Sequence, residues 1–335
     1  MGENTQPHVM RIGLIGTGYM GGRLAAALAH MGDVCEFVAV ADLREEAARE
    51  LAERHKVVAF TNCHELLERV GAVVIATPPA THRELAVAAA QAGKHVFVEK
   101  PLAGTMEDCD AIIAAADEAS VVAMVGHVLR FYPVHELGKQ LVAEGVIGDL
   151  VHLETDYALP YCGQRDRPGN WFGAIGGLLE NGIHKMDLLN WFAGEALHVA
   201  AERGSFSGHD DWEDYALALI RYRAGAVGVI RWGGFLGARR SRDTFLDGTK
   251  GSLRLSIDTG LVSRKLQPDA DWTELTPSDP GAEPRERELR HFVECLDRGT
   301  KCRAEAREGR RAVELVLATY KSADLGNRVV LPLQY

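Results

Sequence analysis

The sequence predicts an α/β protein with a doubly wound parallel sheet in its first part and antiparallel strand pairing in its second. Three observations carry that expectation. From about residue 9 to 128, short β-branched runs alternate with amphipathic stretches rich in Ala, Leu and Glu, the pattern of parallel strands joined by helices. A glycine-rich turn, Gly16-Thr17-Gly18-Tyr19-Met20-Gly21, sits between the first run and the first helix. Beyond about Pro133, several alternating runs follow one another with only turn pairs between them, which implies antiparallel neighbours.

In the first part the predicted strands are Val9 to Ile15, Phe37 to Ala41, Val57 to Phe60, Ala72 to Ala76, His95 to Val98 and Val121 to Val125. Between them, Ala25 to Met31, Glu45 to His55, His64 to Arg69, Arg83 to Ala92 and Met106 to Glu118 each carry an apolar stripe at helical spacing. Together they make one Rossmann-like domain. The second part opens with a helix from His135 to Glu144, a strand from Val151 to Tyr157 and a glycine-flanked helix from Leu178 to Phe192. The alternating runs are Tyr215 to Tyr222, Ala226 to Trp232, Thr244 to Leu246 and Ser252 to Ser256, divided by pairs such as Ala224-Gly225 and Asp247-Gly248. Gln267 to Pro284, rich in Pro and Asp, reads as a loop. Two helices, Arg285 to Asp297 and Glu305 to Ser322, and a short strand from Val329 to Leu333 follow. The expected division is 1–130 and 131–335.

At 335 residues, 47% hydrophobic and 25% charged, the chain has an ordinary globular composition and the length of about two domains. A net charge of -10 and no basic tract argue against nucleic-acid or anionic-membrane partners, which draw on clustered Lys and Arg. The six cysteines, Cys35, Cys63, Cys109, Cys162, Cys295 and Cys302, form no Cys-x-x-Cys pair and show no partner histidine at ligand spacing. They read as reduced thiols, with no metal site expected. Residues 1 to 8 are polar, and the apolar run after them is too short for a signal peptide or membrane span, so a cytoplasmic location is expected.

The glycine turn stands where the Gly-x-Gly-x-x-Gly fingerprint requires it. Gly16 permits the tight turn, Gly18 lets the backbone approach a pyrophosphate, and Gly21 lets helix and strand pack closely, while the helix start offers amide donors. Thr17, Tyr19 and Met20 complete the turn. Asp42 ends the second strand, 21 residues beyond Gly21, where a carboxylate can accept from the adenosine ribose and repel a 2'-phosphate. NAD is thereby favoured, with NADP as the alternative: Arg44 can either pair with a 2'-phosphate or lie solvated. Ala76-Thr77-Pro78 ends the fourth strand beside the expected cofactor path. His82 beyond it either contacts the cofactor or merely belongs to a helix start.

Glu99-Lys100-Pro101 closes the fifth strand. Ligands of open parallel sheets sit beyond the carboxyl ends of the strands, which makes Lys100 the first catalytic candidate, with Glu99 beside it along the cofactor. Glu180, His184 and Asp187 fall at i, i+4 and i+7 of one predicted helix, so they project from one face. A histidine with a carboxylate one turn away suits a general base for a hydroxyl proton; the alternative is a surface salt link. His127 and Arg130 can reach the crevice or form a linker. Tyr157, Tyr161, Arg165, Arg167, Asn170 and Trp171 can shape a polar substrate pocket or simply pack and solvate. His209 to Asp214 reads as an acidic turn, with a metal site as the alternative, and Arg239, Arg240 and Arg242 as a solvated or subunit-interface cluster, with anion binding as the alternative.

Jointly, the fingerprint, Ala76-Thr77-Pro78, Glu99-Lys100-Pro101, Arg130-Phe131-Tyr132-Pro133, Gly176-Gly177 through His184 and Asp187, and Gly248-Thr249-Lys250-Gly251 resemble the glucose-fructose oxidoreductase, inositol dehydrogenase and rhizopine-catabolism family, Gfo/Idh/MocA. The resemblance spans essentially the whole chain. It implies a Rossmann domain followed by an α/β domain with a large, open, mainly antiparallel sheet used for substrate binding and oligomerisation, as a homodimer or homotetramer. It also implies NAD(P)-linked oxidation of a sugar, polyol or inositol-like hydroxyl. The family's catalytic group transfers to Lys100, Glu180 and His184, with Asp187 in support; Glu180 stands where the family usually has Asp, one methylene shorter. A redox-cycling hydrolase or lyase that shows no net NADH, and a cofactor-sensing regulator without chemistry, are the alternatives.

Overall fold

The computed structural model describes residues 9–158, 175–208, 212–235, 241–268, 271–279 and 281–334. They form two compact units: one runs through Gly126 and includes Ala282–Arg310, and the other comprises His127–Gly281 and Arg311–Tyr335.

In the first unit, six strands alternate with five helices: β1 (Met10–Ile15), α1 (Tyr19–His30), β2 (Cys35–Ala41), α2 (Glu45–His55), β3 (Val58–Phe60), α3 (Cys63–Leu67), β4 (Ala72–Ile75), α4 (His82–Gln91), β5 (His95–Val98), α5 (Met106–Glu118) and β6 (Ala123–Val125). Their order in the sheet is β3-β2-β1-β4-β5-β6, with every pair parallel. This is the doubly wound Rossmann order, and its direction reverses between β1 and β4. The strands are covered on both faces, which is why β4 reads Ala-Val-Val-Ile with all four residues buried. Helix α1 starts at Tyr19, six residues before the predicted run, because the glycine turn itself forms its first turn.

The second unit contains α6 (Pro133–Ala143), β7 (Leu150–Ala158), a π-helical turn (Leu178–Gly182) running into α7 (Ile183–Ala193), then β8 (Ala196–Gly204), β9 (Tyr215–Tyr222), β10 (Val227–Gly233), β11 (Thr244–Gly248), β12 (Gly251–Ser256), β13 (Leu261–Leu266) and β14 (Thr273–Leu275). Helix α8 (Pro284–Arg298) belongs to the first unit. Helix α9 (Ala306–Leu325) and β15 (Val329–Val330) complete the chain. The nine-stranded sheet runs β14-β13-β12-β11-β7-β10-β9-β8-β15, antiparallel throughout except for the parallel pair β7 and β10. Strand β9 alternates buried and exposed residues along its length, so one face of the sheet is packed and the other is open.

Three of these strands, β8, β13 and β14, lie outside the strands predicted from sequence, and β14 falls inside the segment read as a loop. The return of Ala282–Arg310 is also absent from a division at residue 130. It follows from burial: Phe292 of α8 meets the Phe97 ring of β5 edge-on at 5.9 Å, and Arg290 forms a two-pronged pair with Asp33.

Candidate active site

In the first unit the carboxyl ends of β1, β4 and β5 lie side by side. Ile15 pairs with Ile75, and Ile75 with Val98. This row brings together three segments far apart in sequence: the glycine turn after β1, Ala76-Thr77-Pro78 after β4, and Glu99-Lys100 after β5. Two strand spacings, roughly 10 Å, separate the first from the last.

Gly16 and Gly21 are each required for a different reason. Gly16 adopts φ +95°, and a Cβ there would stand 2.6 Å from the Ala76 carbonyl oxygen. At Gly21 a Cβ would come within 1.9 Å of the Gly16 carbonyl oxygen, so no other residue fits. A Cβ on Gly18 would meet nothing within 4 Å; the turn opens there onto free space. Gly18 also precedes α1 with no side-chain cap, which leaves the helix start to offer amides and partial positive charge to an anion. Tyr19 lies exposed at the rim and Met20 is half-buried. An open, glycine-floored helix start fits a pyrophosphate.

Asp42 stands beyond β2 and is locked to the turn. Its carboxylate accepts the Thr17 amide (2.9 Å) and hydroxyl (2.8 Å), together with the Arg44 amide (2.9 Å) and guanidinium (3.2 Å). Burial opposes its ionisation, but these hydrogen bonds outweigh it and hold the carboxyl below its usual range. A fixed anion at this position fits a ribose and opposes a 2'-phosphate. Arg44 is directed onto Asp42.

Two residues expected along the cofactor path are engaged by the protein itself. His82 is fully buried, and its ring nitrogens lie 3.0 Å from the Pro101 carbonyl and 2.9 Å from the Thr77 carbonyl. It therefore ties the post-β4 and post-β5 segments together, in line with its reading as part of a helix start. The Thr77 hydroxyl receives that of Thr81 at 2.8 Å, which fixes the same turn. Glu99 is also buried, and its carboxylate accepts the Lys100 amide at 3.0 Å. Burial raises its pKa against the opposing pull of Lys100 and Arg285. Glu288 of α8 faces it, fully buried, with neither carboxylate oxygen hydrogen-bonded; burial first, then Glu99, push its pKa well above the ordinary value. Sequence reasoning missed this second carboxyl. Its signal was legible: Glu288, Phe292 and Cys295 share the apolar stripe of α8.

In the second unit, Glu180 lies in the π-helical turn and His184 in the first turn of α7, both buried. The N-terminal end of this element is held from two distant strands of sequence. Glu213 accepts the Leu178 amide at 2.7 Å, and the Tyr320 hydroxyl receives the Leu179 amide at 3.0 Å while donating to Glu213 at 2.5 Å. Gly176, at φ +86°, has no room for a side chain against that pair. Tyr157 of β7 meets the His184 ring edge-on at 6.5 Å. Beside His184, Lys185 is fully buried and donates to the Arg242 carbonyl (2.7 Å) and the Thr244 hydroxyl (3.0 Å). Burial lowers its pKa to about 7, against the counter-pull of Asp243. Nothing in the local sequence marks this lysine.

The three-residue face expected on that helix is corrected at Asp187. Its carboxylate takes a two-pronged bond from Arg130 (2.9 and 2.6 Å), and His127 stands 3.6 Å away. All three are buried. His127, Arg130 and Asp187 thus form an internal charge cluster that anchors α7. Trp171, with Tyr161, Arg165, Arg167, Asn170, His209 to Asp211, Arg239 and Arg240, lies outside the described residues. Among the described residues, His291, Cys295 and Cys302, read from sequence without a metal role, gather their donor atoms within 4.8 Å of one another.

Residues 10–127 match the family model described as an oxidoreductase family with an NAD-binding Rossmann fold, and residues 135–254 match the C-terminal domain of Gfo/Idh/MocA proteins. A myo-inositol 2-dehydrogenase of Thermotoga maritima is 34% identical over 66% of this chain and 67% of its own. A 2,7-anhydro-N-acetylneuraminate hydratase of Escherichia coli is 26% identical over 77% of this chain and 70% of its own. Among solved structures, levoglucosan dehydrogenase in complex with NADH and levoglucosan superposes with a TM-score of 0.90 at 24% identity, covering 97% of this chain and all of that one.

Proposed function

The chain belongs to the Gfo/Idh/MocA family of oxidoreductases, and from that premise we propose that this NAD-binding enzyme oxidises a secondary hydroxyl of a sugar, polyol or inositol-like substrate. The observation that carries the reading is Lys100 at the carboxyl end of β5, in register with the nucleotide turn of β1 across the point where the strand order reverses.

When bound, the nicotinamide supplies the hydride acceptor. Gly16, Gly18 and Gly21 with the start of α1 hold the pyrophosphate, and Asp42 holds the ribose. His184 takes the proton of the substrate hydroxyl. The Lys100 ammonium stabilises the negative charge growing on that oxygen. Glu180 orients and tunes the pair, with Tyr157 fixing the His184 ring. Inositol and anhydrosugar dehydrogenases among the similar proteins support this substrate class. The open face of the nine-stranded sheet, with Leu217 and Leu219 exposed, supports a homo-oligomer built through that sheet.

Steady-state NADH formation from a panel of inositols and sugars, and NADH consumption with their keto forms, tests the reading. Lys100→Ala and His184→Ala are expected to lower kcat at least a thousandfold (about 4 kcal/mol of barrier) with the Kd for NAD unchanged. Near-normal turnover in either variant would overturn the assignment. A hydratase-like outcome, favoured by the E. coli relative's name, would appear as product without net NADH, and a regulator as NAD binding with neither.

A further inference from the structure

Helix α8 carries His291 and Cys295 one turn apart, so both project from the same side of the helix. The helix stops at Gly299, which takes the left-handed conformation at φ +60°. The Thr300 amide then bonds back to the Cys295 carbonyl at 3.0 Å, and the chain reverses, bringing Cys302 beside Cys295. The donor atoms of His291, Cys295 and Cys302 all lie within 4.8 Å of one another. Cys295 Sγ stands 3.4 Å from His291 Nε2, close to the roughly 3.5 Å edge that a tetrahedral zinc site sets between a nitrogen and a sulfur ligand. The Arg303 amide donates to that same Nε2 at 2.9 Å. Because an amide can only donate, Nε2 carries a lone pair, the form in which a histidine ligates a metal. Both cysteines are buried and His291 is half-buried, so the group has two sheltered sulfurs and one side that water can reach.

We propose that His291, Cys295 and Cys302 form a Zn²⁺ site with water as the fourth ligand. The donor set is borderline to soft, the set that selects zinc over magnesium or calcium. On binding, each thiol gives its proton to solvent as its Zn–S bond forms, and the zinc replaces the Arg303 amide at Nε2; no electrons move. The role is structural. On α8, Glu288 faces Glu99 and Phe292 faces Phe97, so the helix runs opposite to β5, and Cys295 lies about 10 Å along it from Glu288. The metal therefore sits toward the far end of β5 from Lys100. The segment that Cys302 begins runs directly into the edge of the parallel sheet, where Ala304 accepts the Val125 amide at 2.8 Å and Glu305 bridges Met124. Zinc would clamp α8 to the segment that closes this edge.

The full chain, stripped with a chelator and kept reduced, is titrated with Zn²⁺ against a chromophoric chelator and separately with Co²⁺. The expected result is one metal per chain and two protons released per zinc, with a Kd that falls about a hundredfold for each unit the pH is raised while both apo thiols are protonated. Thiolate-to-cobalt charge-transfer bands should appear with the visible bands of tetrahedral coordination, and Tm should rise by roughly 3–6 °C at saturating zinc. Cys302→Ser and His291→Gln should each weaken zinc at least a hundredfold, with NAD binding retained as the measure of an intact fold. Cys63→Ser should leave zinc binding unchanged. His291→Gln alters a half-buried side chain, so it keeps the test open if Cys302→Ser fails to fold. No charge-transfer band in the reduced protein, zinc binding unaltered in both variants, or a Cys295–Cys302 disulfide that forms in place of the metal site would each overturn the proposal.

Discussion

Lys185 shows how strongly a single buried group can couple this chain to pH. In water its amine would keep its proton to well above pH 10, but burial lowers its pKa to about 7. Below pH 7 the group is charged in both the folded and unfolded chain. Above it, the folded chain sheds a proton that the unfolded chain keeps, so the unfolded state binds more protons and stability rises with pH. Lys185 should contribute a gain of about 1.5 kcal/mol in urea unfolding between pH 7 and 8.5, against a smaller opposing loss from the buried Cys35 and Cys109, whose thiols ionise at about pH 8.5 in the unfolded chain and only at higher pH when folded. The gain should vanish in Lys185→Met. An equal slope in that variant would place the titration elsewhere. The glycines of the nucleotide turn are the opposite case, legible from sequence because spacing alone dictates them. Asp42 was legible in the same way, but its lock onto Thr17 and Arg44 was not, since that depends on how the end of β2 meets the turn after β1.

At the scale of elements, the support of the His184 helix stands out. Its first amides are satisfied by Glu213 and Tyr320, side chains 35 and 141 residues away, where a helix start usually finds its cap among its immediate neighbours. The pair holds the turn that carries Glu180. Tyr320→Phe and Glu213→Gln should therefore lower kcat about tenfold, on the order of 1.4 kcal/mol of barrier, with NAD affinity and the folded fraction preserved. Unchanged kcat would show that the π-helical turn holds its shape without them. No periodicity in the sequence foretells this support. Strand β8 illustrates a different limit: Ala-Leu-His-Val-Ala-Ala-Glu-Arg-Gly is rich in helix formers, and it becomes a strand because β9 and β15 pair with it on either side. Helices with a clear apolar stripe, such as α2 and the Thr105-capped α5, have the ends expected from sequence.

For the whole molecule, the open face of the nine-stranded sheet is the feature that calls for a partner. Leu217 and Leu219 of β9 are 40% and 51% exposed, and they alternate with buried Ala218 and Ile220 along the same strand. A paired charge on that face should oppose association. Leu217→Asp combined with Leu219→Asp is expected to shift the chain toward monomer in sedimentation velocity, while NAD binding by the Rossmann unit persists. An unshifted sedimentation coefficient would overturn the proposal of an oligomer built through this sheet. The discontinuous first unit belongs to this scale too. Helix α8 joins it because its apolar stripe packs Phe292 on Phe97 of β5, while Arg290 pairs with Asp33 in the turn before β2.

The sequence by itself determined the two-part α/β architecture, the nucleotide turn, and the placement of Lys100 and of the Glu180 and His184 pair, because each rests on local spacing: glycines at fixed intervals, a lysine at a strand end, side chains one helical turn apart. Tertiary structure alone decided that His127, Arg130 and Asp187 neutralise one another in the interior, that His82 binds two carbonyls, that Glu288 faces Glu99, and that His291, Cys295 and Cys302 meet. In those cases the deciding contact joins groups on different segments or beyond a chain reversal. Burial removes them from water and obliges each to find whatever partner the fold brings within reach.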